Sequence, residues 1–223
     1  MLPAQGNVKK MANLEHLALV QRYVSGERNL RLEKLDLAGA DLHGLDFSHA
    51  WLRDTNFSGA NLRGCRFAGA PMPGANLSGA DLSGADLHGV IAAGAIFNDA
   101  ILTDASLRAA DLYGATLARA DLTQADLSQA DLSLAQAPQA ILRGAKLSRA
   151  ILFNTDLSRA DLRETDLDQV ENVNGAKFDE ALLPPGYQPL NHPRRSRHAR
   201  GFFGEKKKTR WLSKIFGDEE SRC

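Results

Sequence analysis

The stretch "ADLTQADLSQADLSLAQAPQA", residues Ala120–Ala140, repeats with a period of five. Few backbones accept that period. On an α-helix five residues advance the direction by about 140°, so the leucines would scatter around the cylinder instead of forming a stripe. On a single flat strand an odd spacing sends successive leucines to opposite faces. Within each quintet, however, Ala and Leu stand two apart, which puts both on one face of an extended segment. A chain that runs straight for a few residues and turns a corner once per quintet keeps every Ala and Leu inward. The period therefore predicts a coil with short straight sides.

The leucine position recurs without insertion from Leu32 to Leu167, 28 times in all. Leu fills 21 of these places and Phe47, Phe57, Phe67 and Phe97 fill four, with Met72, Ala92 and Ala137 completing the set. Two places upstream Ala dominates from Ala40 to Ala160, relieved by small residues such as Thr55, Cys65, Thr155 and Thr165. Between the two stands mostly Asp or Asn, as in Asp41, Asn61, Asp81, Asp121 and Asp161. So long an unbroken register is a repeat architecture before it is anything else.

These tandem A(D/N)LXX units resemble the pentapeptide repeat family over roughly residues 30–183. The resemblance implies an all-β solenoid, a right-handed quadrilateral β-helix in which four quintets make one coil. The 28 quintets then imply about seven coils, stacked at about 4.8 Å into a rod on the order of 30 Å long. The opening "ANLEHLALV" is similar to that of many cyanobacterial members.

Local irregularities carry their own expectations. At Val90–Ile91–Ala92 the large and small inward residues change places at nearly constant volume, the kind of core change that costs least. At Ala135–Gln136–Ala137–Pro138 both inward places are Ala, which predicts an underfilled spot or a bulge. After Leu167 the register slips by one, to the inward pairs Ala176/Phe178 and Ala181/Leu183, with the bulge or turn expected near Asn172–Gly175.

The chain divides into three parts: residues 1–29, the repeat 30–183, and 184–223. Their net charges are +2, −8 and +6, so the neutral total hides a segregation that bears on partners. Residues Asn13–Gly26 predict an N-terminal capping helix, with Asn13 as N-cap, Leu14, Leu17, Ala18 and Val24 near one face, and Gly26 as the stop. At the other end "LLPPGYQPL" is a turn-rich exit, since consecutive prolines cannot continue a ladder. Pro184–Pro185–Gly186–Tyr187 also matches a WW-ligand pattern, which a solenoid terminator explains without a partner.

Beyond it lies a basic, aromatic C-terminal tail. Trp211, Leu212, Ile215 and Phe216 fall at helical spacing beside Lys206, Lys207, Lys208, Arg210 and Lys214, with Phe202 and Phe203 upstream. Such a stretch suits an anionic membrane surface or a partner groove, and equally a C-terminal cap. Direct nucleic-acid binding ranks lower, because the adjoining repeat is acidic and repels phosphate.

No catalytic constellation stands out. The aspartates are stationed by the repeat, whereas an acid–base pair needs two contrasting environments. His43, His49 and His88 lack the Cys or carboxylate spacing of a metal site. The glycines from Gly39 to Gly94 occupy one corner position of the repeat and form no phosphate loop. Two cysteines, Cys65 and Cys223, build no disulfide framework and favour a reducing compartment. No apolar run reaches the length of a membrane span.

The sequence thus predicts a non-enzymatic binding scaffold without metal or cofactor, cytoplasmic or peripheral to a membrane, with a protein partner and oligomerisation both open. Ile91, Ile96 and Ile101 replace Asp/Asn at three successive outward positions and predict a partner-binding band around the middle of the rod, with Ile141 and Ile151 repeating the replacement later. The alternative comes from the resemblance: some family members mimic DNA in shape and charge and bind DNA gyrase or related type II topoisomerases, giving quinolone resistance. Arg53, Arg63, Arg66, Arg119, Arg149 and Arg159 interrupt the acidic surface such a mimic requires.

Overall fold

Each quintet closes on a tight corner. Ala40 N donates back to Leu37 O at 3.1 Å, and the corner residue between them, Gly39, has φ of 67°. The same left-handed corner recurs at every fifth residue. Glycine takes it without steric cost at every corner from Gly59 to Gly94; elsewhere it falls more often to residues such as Asp104 (57°), Gln129 (63°) and Leu134 (60°).

The computed structural model describes residues 13–27 and 31–189, all within one compact unit, Met1–His192. In it the chain returns over itself every 20 residues. Parallel bridges join Asp36 to Asn56, Asn56 to Asn76, and so on through Ile141 to Asp161. Each bridge is a single residue long, and no extended strand forms among the described residues. Four quintets therefore complete one turn, and the ladder is shared in both directions. Leu37 N donates to Asn56 O (2.7 Å), Gly39 N to Ser58 O (2.8 Å), and Asn56 N back to Leu35 O (2.8 Å).

These bonds and the corner bond satisfy four of the five N–H groups in a quintet. The fifth belongs to the residue after the leucine, and the outward Asp or Asn accepts it. Ser58 N donates to Asn56 Oδ1 (3.1 Å), Ser83 N to Asp81 Oδ1 (3.0 Å) and Thr123 N to Asp121 Oδ1 (3.0 Å). Asp and Asn are thus selected for a short side chain that reaches its own backbone two residues on.

Inside, like residues stack at 20-residue intervals. Leu102, Leu122 and Leu142 are all buried. Phe47 lies on Phe67 with ring centroids 5.2 Å apart and planes within 7°, and Phe57 meets both edge-on at 6.1 Å. The polar substitutes in the Ala column are satisfied across coils: Thr55 Oγ1 donates to Leu32 O (2.6 Å), Thr155 Oγ1 to Leu132 O (2.8 Å) and Cys65 Sγ to Leu42 O (3.0 Å). Burial pushes the Cys65 thiol up to about 11, so it stays protonated and unreactive.

Val90 and Ala92 both point inward and are fully buried, as the volume exchange predicts. At Ala135–Pro138 no bulge forms: Leu117 N donates to Gln136 O (2.7 Å) and Ala137 N to Asp156 O (2.8 Å), so the ladder passes straight through. The main-chain bonds there do not depend on side-chain volume, which is why two alanines leave the register intact. The slip begins at a short 3-10 turn over Leu167–Gln169 and is complete at Asn172, the start of the expected stretch: Glu171 N still donates to Ala150 O, 21 residues back as in earlier coils. From there the bridges Ile151–Asn172, Asp156–Lys177 and Asp161–Leu182 are spaced by 21. At the slip the Asp166 carboxylate accepts from Leu147 N. Ala176, Phe178, Ala181 and Leu183 then pack against the core as expected, and Tyr187 closes edge-on over Phe178 at 6.2 Å.

Helix α1 spans Leu14–Val24; Asn13 Oδ1 accepts from Glu15 N at 2.9 Å, and the chain leaves at Gly26 with φ of 119°. Its inward face differs from the expected one. Val20 and Tyr23 are buried with Leu17, Leu19 and Val24 beside them, whereas Leu14 and Ala18 are exposed. Polar anchors set that rotation. Asp36 N, which has no preceding coil to bond, donates to His16 Nδ1 at 2.7 Å, and Tyr23 Oη donates to Ser48 O at 3.2 Å.

Leu122→Ala should cost about 2–5 kcal/mol, while Asp121→Asn, which keeps the Oδ1 acceptor, should stay within about 0.5 kcal/mol of wild type. Chemical denaturation checks both, and equal losses would refute the inward assignment. Acid should probe the outward columns. The Ser158 hydroxyl and N–H hold Asp156 below the usual carboxylate range, and the Arg163 guanidinium does so for Asp161. At Asp81 and Asp126 burial pushes upward, but bonds from Ser83 and Ser128 and the arginines Arg63 and Arg108 outweigh it. A carboxyl depressed in the folded state stabilises above its unfolded pKa and loses that contribution as pH falls through the folded one. The melting temperature should therefore hold from neutrality down to about pH 4 and fall below it.

Candidate functional site

The 20-residue turn sorts outward residues onto four faces. Three of them are crossed by ion pairs. Arg63 meets Asp81 (3.2 Å) and Arg143 meets Glu164 (2.6 Å) on one face. Arg66 meets Asp46 and Arg108 meets Asp126, both at 3.4 Å, on the next. Arg119 meets Asp99 (2.6 Å) and Arg159 meets Glu180 (2.9 Å) on a third. The paired guanidiniums hold Asp99 and Glu164 below the usual carboxylate range.

The remaining face is built from residues 51–54, 71–74, 91–94, 111–114, 131–134 and 151–154. Its first column bridges Pro71 to Ile91, Asp111, Asp131 and Ile151 in order. Its second is placed by Gly74 N donating to Ala93 O (3.2 Å), Gly94 N to Tyr113 O (2.9 Å), Gly114 N to Ser133 O (2.9 Å) and Leu134 N to Phe153 O (2.8 Å). Trp51, Tyr113, Leu134 and Phe153 are exposed here, half of the eight large hydrophobic residues that stand in solvent among those described. Arg31 lies over the Trp51 ring at 5.4 Å, at the face's N-terminal end. From Pro71 to Phe153 the only charged side chains on it are Asp111 and Asp131.

The predicted band is distributed differently. Ile91 belongs to this apolar face, Ile96 stands between Asn76 and Thr116 on the next, and Ile101 between Asp81 and Asp121 on the one opposite. The three ring the coil and share no flat surface. Ile101 and Ile141 flank Asp121 in one column and are both exposed. The period of five does not single out Trp51, Pro71, Pro73, Tyr113, Leu134 and Phe153; spacings of 20 or 40 residues align Trp51 with Pro71 and Pro73 with Tyr113 and Phe153, while Leu134 joins them from the neighbouring corner column. The tail candidates Phe202, Phe203, Lys206, Lys207, Lys208, Arg210, Trp211, Leu212, Lys214, Ile215 and Phe216 lie outside the described residues. Among the described residues no three His, Cys, Asp or Glu side chains converge as metal ligands. His43 Nδ1 instead lies 2.9 Å from Asp41 Oδ1 on the surface.

Pentapeptide repeats match residues 28–59, 60–99, 100–135 and 130–169, in 8 copies. No curated protein matches the chain. Among solved structures, HetL, a pentapeptide repeat protein involved in heterocyst differentiation regulation from the cyanobacterium Nostoc sp., is 28% identical, covering 76% of this chain and 97% of its own at a TM-score of 0.41. Rfr23, from the cyanobacterium Cyanothece, is 22% identical, covering 75% and 99% at a TM-score of 0.32. Full-length QnrB1, a plasmid-mediated fluoroquinolone resistance protein, is 25% identical, covering 62% and 82% at a TM-score of 0.30. On the strength of its repeat matches and its 20-residue ladder, this chain belongs to the pentapeptide repeat family.

Proposed function

We propose that this chain is a non-enzymatic binding scaffold: a right-handed rod of about seven coils that presents a rigid surface to a protein partner. The observation that carries this reading is the grouping of exposed apolar residues, with Trp51, Tyr113, Leu134 and Phe153 on one face and Ile101, Ile141 and Leu182 in a column of the opposite one, on a coil whose surface is otherwise largely polar and ion-paired. Grouped exposed apolar residues mark interaction sites, since water exacts a cost for leaving them open. Helix α1 closes the N-terminal end by supplying the partners that an absent coil would supply to Asp36 and Ser48. The basic tail, with Trp211 and Phe216 among its cations, adds a reversible contact to an anionic membrane surface or a second partner site. No helix among the described residues is long and apolar enough to cross a membrane, so membrane association rests on the tail.

The DNA-mimic reading, with gyrase as partner, draws on the stacked carboxylates of the repeat. Arginines reaching across coils to Asp46, Asp81, Asp99 and Asp126 work against it, because they cancel the charge that a phosphate-like surface needs. The chain should accordingly leave gyrase supercoiling unchanged at micromolar concentration.

Replacing Ile91 and Ile151, which both stand on the face of Tyr113 and Phe153, together by Asp tests the scaffold. Asp is the residue the quintet uses elsewhere to accept the N–H two places on, so circular dichroism and melting temperature should not fall. Cross-linked partners should be lost. Identical profiles for the double variant and wild type would leave that face without a binding role.

A further inference from the structure

We infer that the face carrying Ile101, Ile141 and Leu182 is a homodimer interface: it takes the same face of a second copy, with the two rods antiparallel. This rests on the scaffold reading, in which the exposed apolar groups are contacts, and names the occupant of one of them.

The order of the column supports that occupant. Bridges join Ile101, Asp121, Ile141, Asp161 and Leu182 in succession. Apolar and acidic residues therefore alternate, and the column reads alike in both directions about Ile141. Ile101 and Ile141 are each 41% exposed and Leu182 is 51% exposed. Isoleucine is not what the quintet needs here. Asp121 accepts from Thr123 N at 3.0 Å, whereas Ile101 and Ile141 offer no acceptor to Thr103 N and Arg143 N. The chain forgoes that bond twice and leaves an apolar side chain in water each time. A two-fold axis crossing the rod at Ile141 covers all three residues at once, setting Ile141 on its own copy and Ile101 on the partner's Leu182. A surface that is its own complement is what an isologous contact requires.

Charge chooses the direction. Among the described residues the Asp121 carboxylate takes its bonds from Thr123 N and Oγ1 alone. Parallel rods would set Asp121 against its own copy with no cation between them, and like charges directly opposite are unfavourable. Antiparallel rods set it against the partner's Asp161, beside the partner's Arg163. Within one chain Arg163 Nε and Nη2 donate to Asp161 at 2.9 and 2.6 Å. A guanidinium carries further N–H donors, so one Arg163 can hold both carboxylates. Arg143, which the axis brings toward its own copy, is already paired with Glu164 at 2.6 Å.

Five coils at about 4.8 Å make a contact about 20 Å tall on a single face, smaller than a standard interface. The dimer is accordingly weak and concentration-dependent. With these faces together, the opposite faces bearing Tyr113 and Phe153 point outward on both sides. One dimer thus offers a multivalent partner two equivalent sites.

Sedimentation of the full-length chain from micromolar to millimolar concentration should show a monomer–dimer equilibrium. Ile141→Asp puts a carboxylate on the axis in both copies and supplies an acceptor to Arg143 N. Its melting temperature should hold while dimerisation weakens at least about tenfold. Asp121→Asn keeps the Oδ1 acceptor and should weaken the dimer about threefold at low salt, and by less as salt rises; a parallel dimer would be strengthened instead. Cross-linking reads the arrangement in a Cys223→Ser background, where the buried Cys65 thiol stays unreactive. Chains carrying Ile101→Cys and chains carrying Leu182→Cys should be joined by a bis-maleimide of about 10 Å span when mixed, and neither should be joined to its own kind. An undiminished dimer in Ile141→Asp, or Ile101→Cys chains joined to one another, overturns the inference. So does a dimer abolished by Ile91→Asp/Ile151→Asp, which would put the second copy on the other face. A dimer abolished by Trp211→Ser/Phe216→Ser overturns it too, making the tail the contact. If the chain stays monomeric throughout while Ile91→Asp/Ile151→Asp still loses cross-linked partners, the scaffold reading stands and this inference falls. If the dimer forms as described and that variant keeps its partners, the partner face falls and this interface stands.

Discussion

Every other property of this protein depends on how a quintet disposes of its five backbone N–H groups. Three go to neighbouring coils, one closes the corner, and one is taken by the outward Asp or Asn, as at Asp81 and Asp121. A backbone polar group left unpaired in so compressed a coil would be costly, so the accounting dictates the composition. Leu and Ala fill the interior, a residue that accepts positive φ turns the corner, and a short acceptor sits outside. The bonds lie in the backbone and its immediate side chains, so the ladder survives irregular cores. It crosses the paired alanines Ala135 and Ala137 unbroken and keeps its spacing where Val90 and Ala92 exchange volumes.

What breaks the ladder is a change in residue count. One extra residue near Leu167–Gln169 moves the bridge spacing from 20 to 21, and the Asp166 carboxylate takes a main-chain donor from Leu147 across the gap. At the other end α1 solves the converse problem of a first coil without a predecessor, and His16 offers a ring nitrogen where a carbonyl would stand. Both ends use side chains to stand in for missing backbone. The interior thereby stays regular, with Phe47 and Phe67 stacked in parallel across a coil.

Regularity inside leaves function to the exterior, where 20 residues per turn divides the sequence among four faces. Ion pairs such as Arg119–Asp99 and Arg143–Glu164 cover three of them. Exposed pairs of this kind add little to stability. Their larger effect is to make those faces locally neutral, which sets apart the strip of Ile91, Tyr113, Leu134, Ile151 and Phe153 and, on the opposite face, the column of Ile101, Ile141 and Leu182. A surface on so rigid a support is preorganised, so a partner loses little free energy ordering it.

The sequence alone determined the coil, its inward columns, its glycine corners and the existence of a slip, because the period of five admits few other backbones and each quintet repeats the same local chemistry. It also foretold the helix at Leu14–Val24 from Asn13 and Gly26, since caps are local. Which side of that helix turns inward was decided by tertiary contacts, the bonds from Asp36 to His16 and from Tyr23 to Ser48, which helical periodicity does not contain. The grouping of surface residues was likewise a tertiary matter. Ile91, Ile96 and Ile101 are neighbours in sequence yet face three directions, while Tyr113 and Phe153, 40 residues apart, stand on one face. Adjacency on this surface is set by the ladder between coils, and a ladder joins residues that the chain keeps a full turn apart.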